Sequence, residues 1–176
     1  APMAEGELTK AYKADPRQIY AGLALVTVHL RDQQLTKALA VADALARANP
    51  GNPTVLTVQA YAKAQARDFA GSRVSYEKAL KLDPNQLEAK LGLARIDAQT
   101  GNFDAAQQRL RAALKAQENN VNVLFELALI NELRGRDAEA LTWLESTAAV
   151  SGPRETRVNF ALVAWHLRKG QPARAV

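Results

Sequence analysis

The chain has no cysteine among its 176 residues and only two histidines. Without cysteine, disulfide bridges, thiol catalysis and cysteine-ligated zinc are excluded. All apolar stretches fall short of the roughly 20 residues that a membrane-spanning helix needs. Aromatic residues make up 6% of the chain, and the glycines and prolines are spread along it, so we expect neither a flexible linker nor a low-complexity tract.

The formal net charge is +5, but lysine and arginine are interleaved with acidic residues along the whole chain. A nucleic-acid-binding protein usually concentrates its basic residues in one run or on one face. A mildly basic solvated surface explains the charge equally well. We therefore expect no nucleic-acid partner. Binding of nucleic acid or polysaccharide to a basic surface is kept only as an alternative, after the two functions described below.

Three prolines define the period of a sequence repeat. Pro16, Pro50 and Pro84 are each 34 residues apart, and Glu118 stands at the next step. Hydrophobic residues are 48% of the chain and are mostly alanine and leucine, which favour helices over strands. A 34-residue period with apolar residues at helical spacing predicts one pair of antiparallel helices per repeat.

With the proline numbered as position 32, the repeats are 19–52, 53–86, 87–120 and 121–155, between partial repeats 1–18 and 156–176. The register slips by one residue around Gly152 and Pro153, and it resumes so that Ala175 falls at position 20. We expect a single array that is cut from a longer one. The first helices are predicted at about 19–32, 53–66, 87–100, 121–134 and 156–169, and the second helices at about 4–14, 35–48, 69–82, 103–116 and 137–150.

Similar residue types recur at the same positions of successive repeats. Position 15, where each first helix must end, holds Gly101 and Gly135 but Gln33 and Arg67 in the earlier repeats. Glycine there is the usual left-handed terminator of a helix. Small residues occupy position 20, where the two helices of a pair cross; they are Ala38, Ser72, Ala106 and Ala140.

This pattern resembles the tetratricopeptide repeat (TPR) family over essentially the whole chain. The resemblance implies an all-α, right-handed α-solenoid of antiparallel helix pairs that holds protein partners in a concave groove. Position 11, often tyrosine in the family, departs from that pattern, and the family's tryptophan at position 4 is missing. The residues at position 11 are His29, Lys63, Asp97, Asn131 and His166.

Three phrases, at 40–46, 93–97 and 170–172, also resemble the bacterial repeat lipoproteins that accompany exosortase and exopolysaccharide systems (PEP-CTERM-type proteins). That narrower resemblance implies a periplasmic or membrane-tethered protein, and without it we expect a cytoplasmic one.

In the TPR family the groove is lined by positions 2, 5, 9, 12 and 13 of the first helices. We expect Tyr20, Tyr61 and Phe125 to be the anchors for a partner, because rigid aromatic residues dominate protein interfaces. The alternative is that residues such as Leu23 and Leu91, and Phe125 itself, pack against neighbouring first helices. The candidate groove residues are Tyr20, Leu23, Thr27, Arg31, Thr54, Thr57, Tyr61, Glu88, Leu91, Arg95, Asn122, Phe125, Leu129 and Glu132, with Arg157, Phe160 and Leu167 from the partial repeat.

The family's carboxylate clamp, which grips a peptide's C-terminal acid, has no matching set of residues in any frame. The candidate groove instead offers apolar and aromatic area, which suits an amphipathic helix or an apolar peptide. The sequence thus predicts a scaffold for a protein or peptide ligand. A structural spacer without a specific ligand is the alternative, and self-association through uncapped ends is also expected.

Catalysis, cofactors and metals are not predicted. His29 and His166 share one structural position in distant repeats, and no nucleophile-elbow or phosphate-loop motif is present. Asp104, Asp137 and Glu139 open second helices, where acids complement the helix dipole. Trp143 and Trp165 are interpreted as packing residues.

Overall fold

A computed structural model describes residues 2–15, 18–152 and 155–170 of the chain. In these ranges the structure contains ten helices and no strand. The first-helix series of the repeats comprises α2 (Ile19–Arg31), α4 (Pro53–Gln65), α6 (Leu87–Gln99), α8 (Val121–Leu133) and α10 (Thr156–Arg168). The second-helix series comprises α1 (Pro2–Ala14), α3 (Leu35–Ala48), α5 (Phe69–Leu82), α7 (Phe103–Ala116) and α9 (Asp137–Ser151).

The helix boundaries agree with those predicted from the repeat. Helices α2, α4, α6 and α8 begin at residues 19, 53, 87 and 121, and α10 begins at 156, one residue later than the period requires. Each first helix ends one residue before its predicted end. The predicted features at Pro16, Pro153, Pro172 and Ala175 lie outside the described residues.

Position 15 has the left-handed conformation in all five first-helix termini, whether or not it is glycine. The φ angles are 82° at Gly101, 76° at Gly135 and 67° at Gly170, and they are 57° at Gln33 and 63° at Arg67. Glycine adopts this region without a steric penalty, whereas a residue with a Cβ does not. The turn geometry is therefore a property of the repeat, and two repeats adopt it at a cost.

Small residues at the helix crossings are completely buried, as the sequence predicts. Position 20 is inaccessible to solvent in all four repeats, and Ser72 satisfies its hydroxyl by donating to the carbonyl of Ala60 at 2.6 Å. The side chains at position 24 are buried as well; they are Ala42 and Tyr76 in the first two repeats and Leu110 and Leu144 in the next two. Small side chains at a crossing let two helix backbones approach, which fixes the pairing of first and second helices.

Two of the polar residues at position 11, where the family often has tyrosine, form hydrogen bonds with a second helix. Asp97 is buried and accepts a hydrogen bond from Nε of Arg109 at 2.7 Å. Asn131 is buried and accepts a hydrogen bond from the Gln107 amide at 2.8 Å. The buried side chains of Asp97 and Asn131 are thus compensated by a neighbouring second helix, as burial of polar groups requires.

The chain forms two compact units, residues 1–92 and 93–176, with the boundary inside α6. In the first unit a core cluster forms from Val26, Ala38, Ala42 and Ala62. The second unit has a core cluster of Phe125, Ala128, Leu144, Val158 and Trp165. Among the helices of the described residues, none is both long and apolar enough to cross a membrane.

Candidate protein-binding face

The candidate groove residues lie on one series of helices, and we call their surface the first-helix face. It consists of repeat positions 2, 5, 9, 12 and 13 of α2, α4, α6, α8 and α10. The two compact units each carry part of it and differ in its chemistry, so each part is described separately.

In the first unit, the first-helix face exposes aromatic side chains. Tyr20 of α2 is 90% exposed and Tyr61 of α4 is 42% exposed. Leu23, three residues after Tyr20 on α2, is half-buried. The opposite side of α2 packs into the core through Leu25 and Val26. The remaining exposed members of this part are Thr27, Arg31, Thr54, Gln65 and Glu88.

Thr57 has a structural role rather than an exposed one. With its amide oriented so that both ends have partners, Gln86 donates to Thr57 Oγ1 at 2.7 Å and to the Pro53 carbonyl oxygen at 3.1 Å. The same amide accepts from the Thr54 backbone N–H at 3.3 Å. Gln86 immediately precedes α6, so this contact ties the start of α6 to the first turn of α4. Thr57 is buried as a result.

At the C-terminus of α2 the charges pair locally. Arg31 Nε donates to Asp32 Oδ1 at 2.9 Å, and both residues are exposed. This hydrogen bond from Arg31 holds the pKa of Asp32 below its usual value. In the same way, the hydrogen bond to Asp32 raises the pKa of Arg31. Such an exposed pair of adjacent residues contributes little to stability.

In the second unit, polar pairs cross the first-helix face from helix to helix. Arg95 of α6 donates from Nε to Glu126 of α8 at 2.9 Å, and the Glu126 carboxylate is almost completely buried. Arg157 of α10 donates to Asn122 of α8 at 3.0 Å. Glu132 of α8 and Arg168 of α10 form a further ion pair. Four groove candidates, Arg95, Asn122, Glu132 and Arg157, are therefore engaged with neighbouring helices.

The Phe125 ring is buried in the core cluster of the second unit and is only 7% exposed. The Arg157 guanidinium carbon lies 4.7 Å from the ring centroid, which is cation–π geometry. The ring therefore packs beneath the face, as the packing alternative predicts, and it is not an exposed anchor. Leu91 is buried in the same manner within the first unit, and Leu129 packs on the cluster of Phe125.

Two members of the cross-helix pairs, Glu126 and Arg168, were not among the predicted site residues. A signal for the first existed in the sequence, because Arg95 at position 9 and Glu126 at position 6 of the next repeat carry opposite charges. These two positions lie on facing sides of consecutive first helices. The family's carboxylate clamp uses an arginine at position 6 of its third repeat. When the clamp is counted from repeat two, that position holds Glu126, which carries the opposite charge.

Two family models, both described as tetratricopeptide repeat, match residues 63–123 and 94–155. Together they span more than half of the chain. The chain belongs to the tetratricopeptide repeat family. The family assignment explains why positive φ angles and buried small residues recur at fixed positions in this TPR protein.

Among curated proteins, cellulose synthase operon protein C of Escherichia coli K12 is 33% identical over 103 residues. The match covers 57% of this TPR chain and 9% of that protein, so the chain spans less than a tenth of its relative.

Two solved structures have the same fold. A tetratricopeptide repeat protein from Parabacteroides merdae superposes with a TM-score of 0.87 at 18% identity, over 97% of this chain and 66% of that one. A thermophilic TPR protein from Thermus thermophilus superposes with a TM-score of 0.82 at 20% identity, over 93% of this chain and 89% of that one. At such identities the likeness establishes the α-solenoid fold and nothing about ligands.

Proposed function

We propose that this protein is a non-catalytic scaffold that holds a peptide or helix of a partner protein on its first-helix face. The observation that carries the proposal is the exposure of Tyr20 and Tyr61 on helices whose opposite sides are buried. Tyrosine loses little conformational entropy on binding and supplies both apolar area and a hydroxyl, so it is enriched in protein interfaces. TPR proteins are protein-interaction scaffolds, and this chemistry fits that role.

The partner contacts are proposed to centre on the first unit, at α2 and α4. There the first-helix face combines exposed tyrosines with the half-buried Leu23 and the hydroxyl of Thr27. In the second unit, by contrast, Arg95 and Glu132 already pair with Glu126 and Arg168. An apolar or amphipathic partner gains more from aromatic area than from charges that are neutralised within the protein.

A place in a bacterial exopolysaccharide or protein-sorting system is part of the proposal. It is supported by the partial likeness to cellulose synthase operon protein C and by the three phrases that resemble exosortase-associated lipoproteins. In such a system the array would act as an assembly surface for other components. The proposal assigns no catalytic residue, because buried polar groups such as Asp97 and Asn131 are engaged in structural hydrogen bonds.

Substitution of the exposed tyrosines tests the scaffold proposal. Tyr20→Ala together with Tyr61→Ala should abolish retention of the partner in a pull-down from cells that produce the protein. The matched control is Val74→Ala on α5, because Val74 is also exposed but lies on a second helix. If both variants retain the same proteins as the wild type, the first-helix face of the first unit is not the binding surface.

A second candidate function, self-association in a structural spacer, is favoured by exposed large apolar side chains in the second unit. Phe160 and Leu167 of α10 are 74% and 55% exposed, and Leu133 of α8 is exposed as well. A second copy of the chain could cover these side chains. Light scattering at high concentration should then give a mass above that of the monomer, and Phe160→Asp should restore the monomer. A monomeric mass for the wild type excludes this candidate.

A further inference from the structure

A cleft of about 510 Å³ lies in the second unit, away from the first-helix face, between the second helices α7 and α9. Its lining consists of Arg111, Leu114, Lys115, Glu118 and Trp143. This volume is within the range of small-ligand and peptide side-chain sites. The cleft is independent of the tyrosines on which the scaffold proposal depends.

The cleft interrupts the repeat pattern of the chain itself. Position 25 is acidic in three repeats, as Asp43, Glu77 and Glu145, but in repeat three it is Arg111, which lines the cleft. Position 23, which is Val41 in repeat one and Ser75 in repeat two, is Trp143 in repeat four. A cation replaces an acid beside the cleft, and the largest side chain enters its wall. The other repeats form the same helix pair without either change.

The chemistry of the walls defines what the cleft can hold. Arg111 and Lys115 are exposed, and within the described residues neither forms an ion pair. They lie one helical turn apart on α7, about 6 Å along its axis. On the opposite wall, Trp143 is half-buried and packs on the core cluster of Phe125, so its ring is a rigid apolar platform. The cleft thus has a cationic wall and an aromatic wall.

We infer that this cleft binds an extended peptide segment with the pattern acidic, apolar, acidic. In an extended chain, side chains i and i+2 point to the same side and are about 6.6 Å apart. That spacing matches the cations on α7, while the residue between them points to the other wall and reaches Trp143. Glu118 stands at one end of the cleft and repels a longer run of acids, which limits the acidic residues to two.

The charges discriminate between segments more than they add affinity, since Arg111 and Lys115 are solvated. A basic segment would meet two uncompensated cations and is excluded by repulsion. An apolar segment without acids would gain only the contact with Trp143 and Leu114. The acidic residues therefore select the partner and the apolar residue supplies most of the buried area.

The test uses the peptide acetyl-Glu-Phe-Glu-amide and the indole N–H signals of the ¹⁵N-labelled full chain. The chain has two tryptophans, and Trp143→Phe identifies which of the two signals belongs to Trp143. Titration should shift the Trp143 signal saturably and leave the Trp165 signal in place. At equal concentration the peptide acetyl-Gln-Phe-Gln-amide should produce a smaller shift, and acetyl-Lys-Phe-Lys-amide should produce none.

A matched pair of charge reversals is the control. Lys115→Glu and Lys81→Glu both change an exposed lysine at position 29 and alter the net charge equally. Lys115→Glu should weaken binding about fivefold or more because it places an acid in the cleft, and Lys81→Glu should leave it unchanged. Arg111→Glu, which introduces the acid found in the other repeats, should leave the fold intact and weaken binding similarly.

Three results would overturn the inference. The first is the absence of a Trp143 shift with acetyl-Glu-Phe-Glu-amide. The second is an equal shift with the lysine peptide or in the Lys115→Glu variant, because the cations would then have no role. The third is a shift produced by oligogalacturonate and not by the peptide, which would make the occupant an acidic sugar.

Discussion

The ring of Tyr76 in α5 occupies the space that a side chain at Gly92 in α6 would need. A Cβ added to Gly92 would lie 2.1 Å from Cζ of the ring and 2.5 Å from its hydroxyl oxygen. Both residues belong to the first unit, and the tyrosine stands at position 24, which is leucine in Leu110 and Leu144. The large ring and the absent side chain are therefore a complementary pair that joins two consecutive helices.

Gly92→Ala should destabilise the protein by about 1–3 kcal/mol, because the ring must move out of a packed core. Gly6→Ala in α1 is the matched control, since a Cβ there meets no atom of the described part of the chain within 4 Å and alanine favours a helix. Urea unfolding curves measure both changes. If Tyr76→Leu, combined with Gly92→Ala, does not recover most of the loss, the clash is not the cause.

Gln33→Gly and Arg67→Gly should each stabilise the protein by up to about 1 kcal/mol, because both residues hold a left-handed conformation that costs a Cβ-bearing residue energy. Gly101→Ala, at the same repeat position, should have the opposite sign. Within residues 2–15, 18–152 and 155–170, no atom lies within 4 Å of a Cβ added to Gly101, so the cost of Gly101→Ala is confined to the backbone. Equal thermal midpoints for all three variants and the wild type would contradict this account of position 15.

Tyr12 should weaken the fold at alkaline pH. Burial raises the pKa of its phenol, partly offset by the charge of Arg47, and its hydroxyl oxygen has no hydrogen-bond partner among the residues that the structure describes. A raised pKa means that its contribution is complete below the ordinary value near 10 and is lost as pH rises through the folded-state value. Tyr12→Phe should therefore be neutral at pH 7 and should reduce the fall in stability above pH 10. An unchanged pH profile would exclude Tyr12 as the cause.

Arg95→Ala should destabilise the protein by roughly 2 kcal/mol, because it leaves the carboxylate of Glu126 buried without its cation. Arg134→Ala is the matched control, since the partner of Arg134 is the exposed Asp104. The Glu126 side chain is 8% exposed and that of Asp104 is 86% exposed, so the control should cost less than about 1 kcal/mol. Chemical unfolding distinguishes the two, and equal losses would mean that burial of the acid is unimportant.

The helix pairs could be predicted from the sequence because their determinants are local and repeated. Ala38 and Ala106 mark crossings that admit only small side chains, and Gly101 marks a turn that needs positive φ. The burial of Phe125 could not be predicted in this way. Position 5 faces both the candidate groove and the next first helix, and the choice depends on the neighbour, here Val158 and the guanidinium of Arg157.

Comparing the repeats position by position could not predict the pairs between first helices either. Glu126 and Arg95 are 31 residues apart, and their pairing depends on the side-chain directions of two different helices. Thr57 was predicted to line the groove, yet the Gln86 amide covers it from the turn before α6. Repeat statistics describe the average residue at a position, whereas these contacts depend on what two specific repeats place beside each other.

Site-specific photo-cross-linking tests the scaffold claim most directly. A benzophenone amino acid is introduced in cells in place of Tyr20, Tyr61 or, as the control on a second helix, Val74. The account predicts that Tyr20 and Tyr61 both cross-link to the same segment of one partner protein, identified by mass spectrometry, and that Val74 does not. Equal cross-linking from Val74, or unrelated products from the two tyrosine positions, would contradict it.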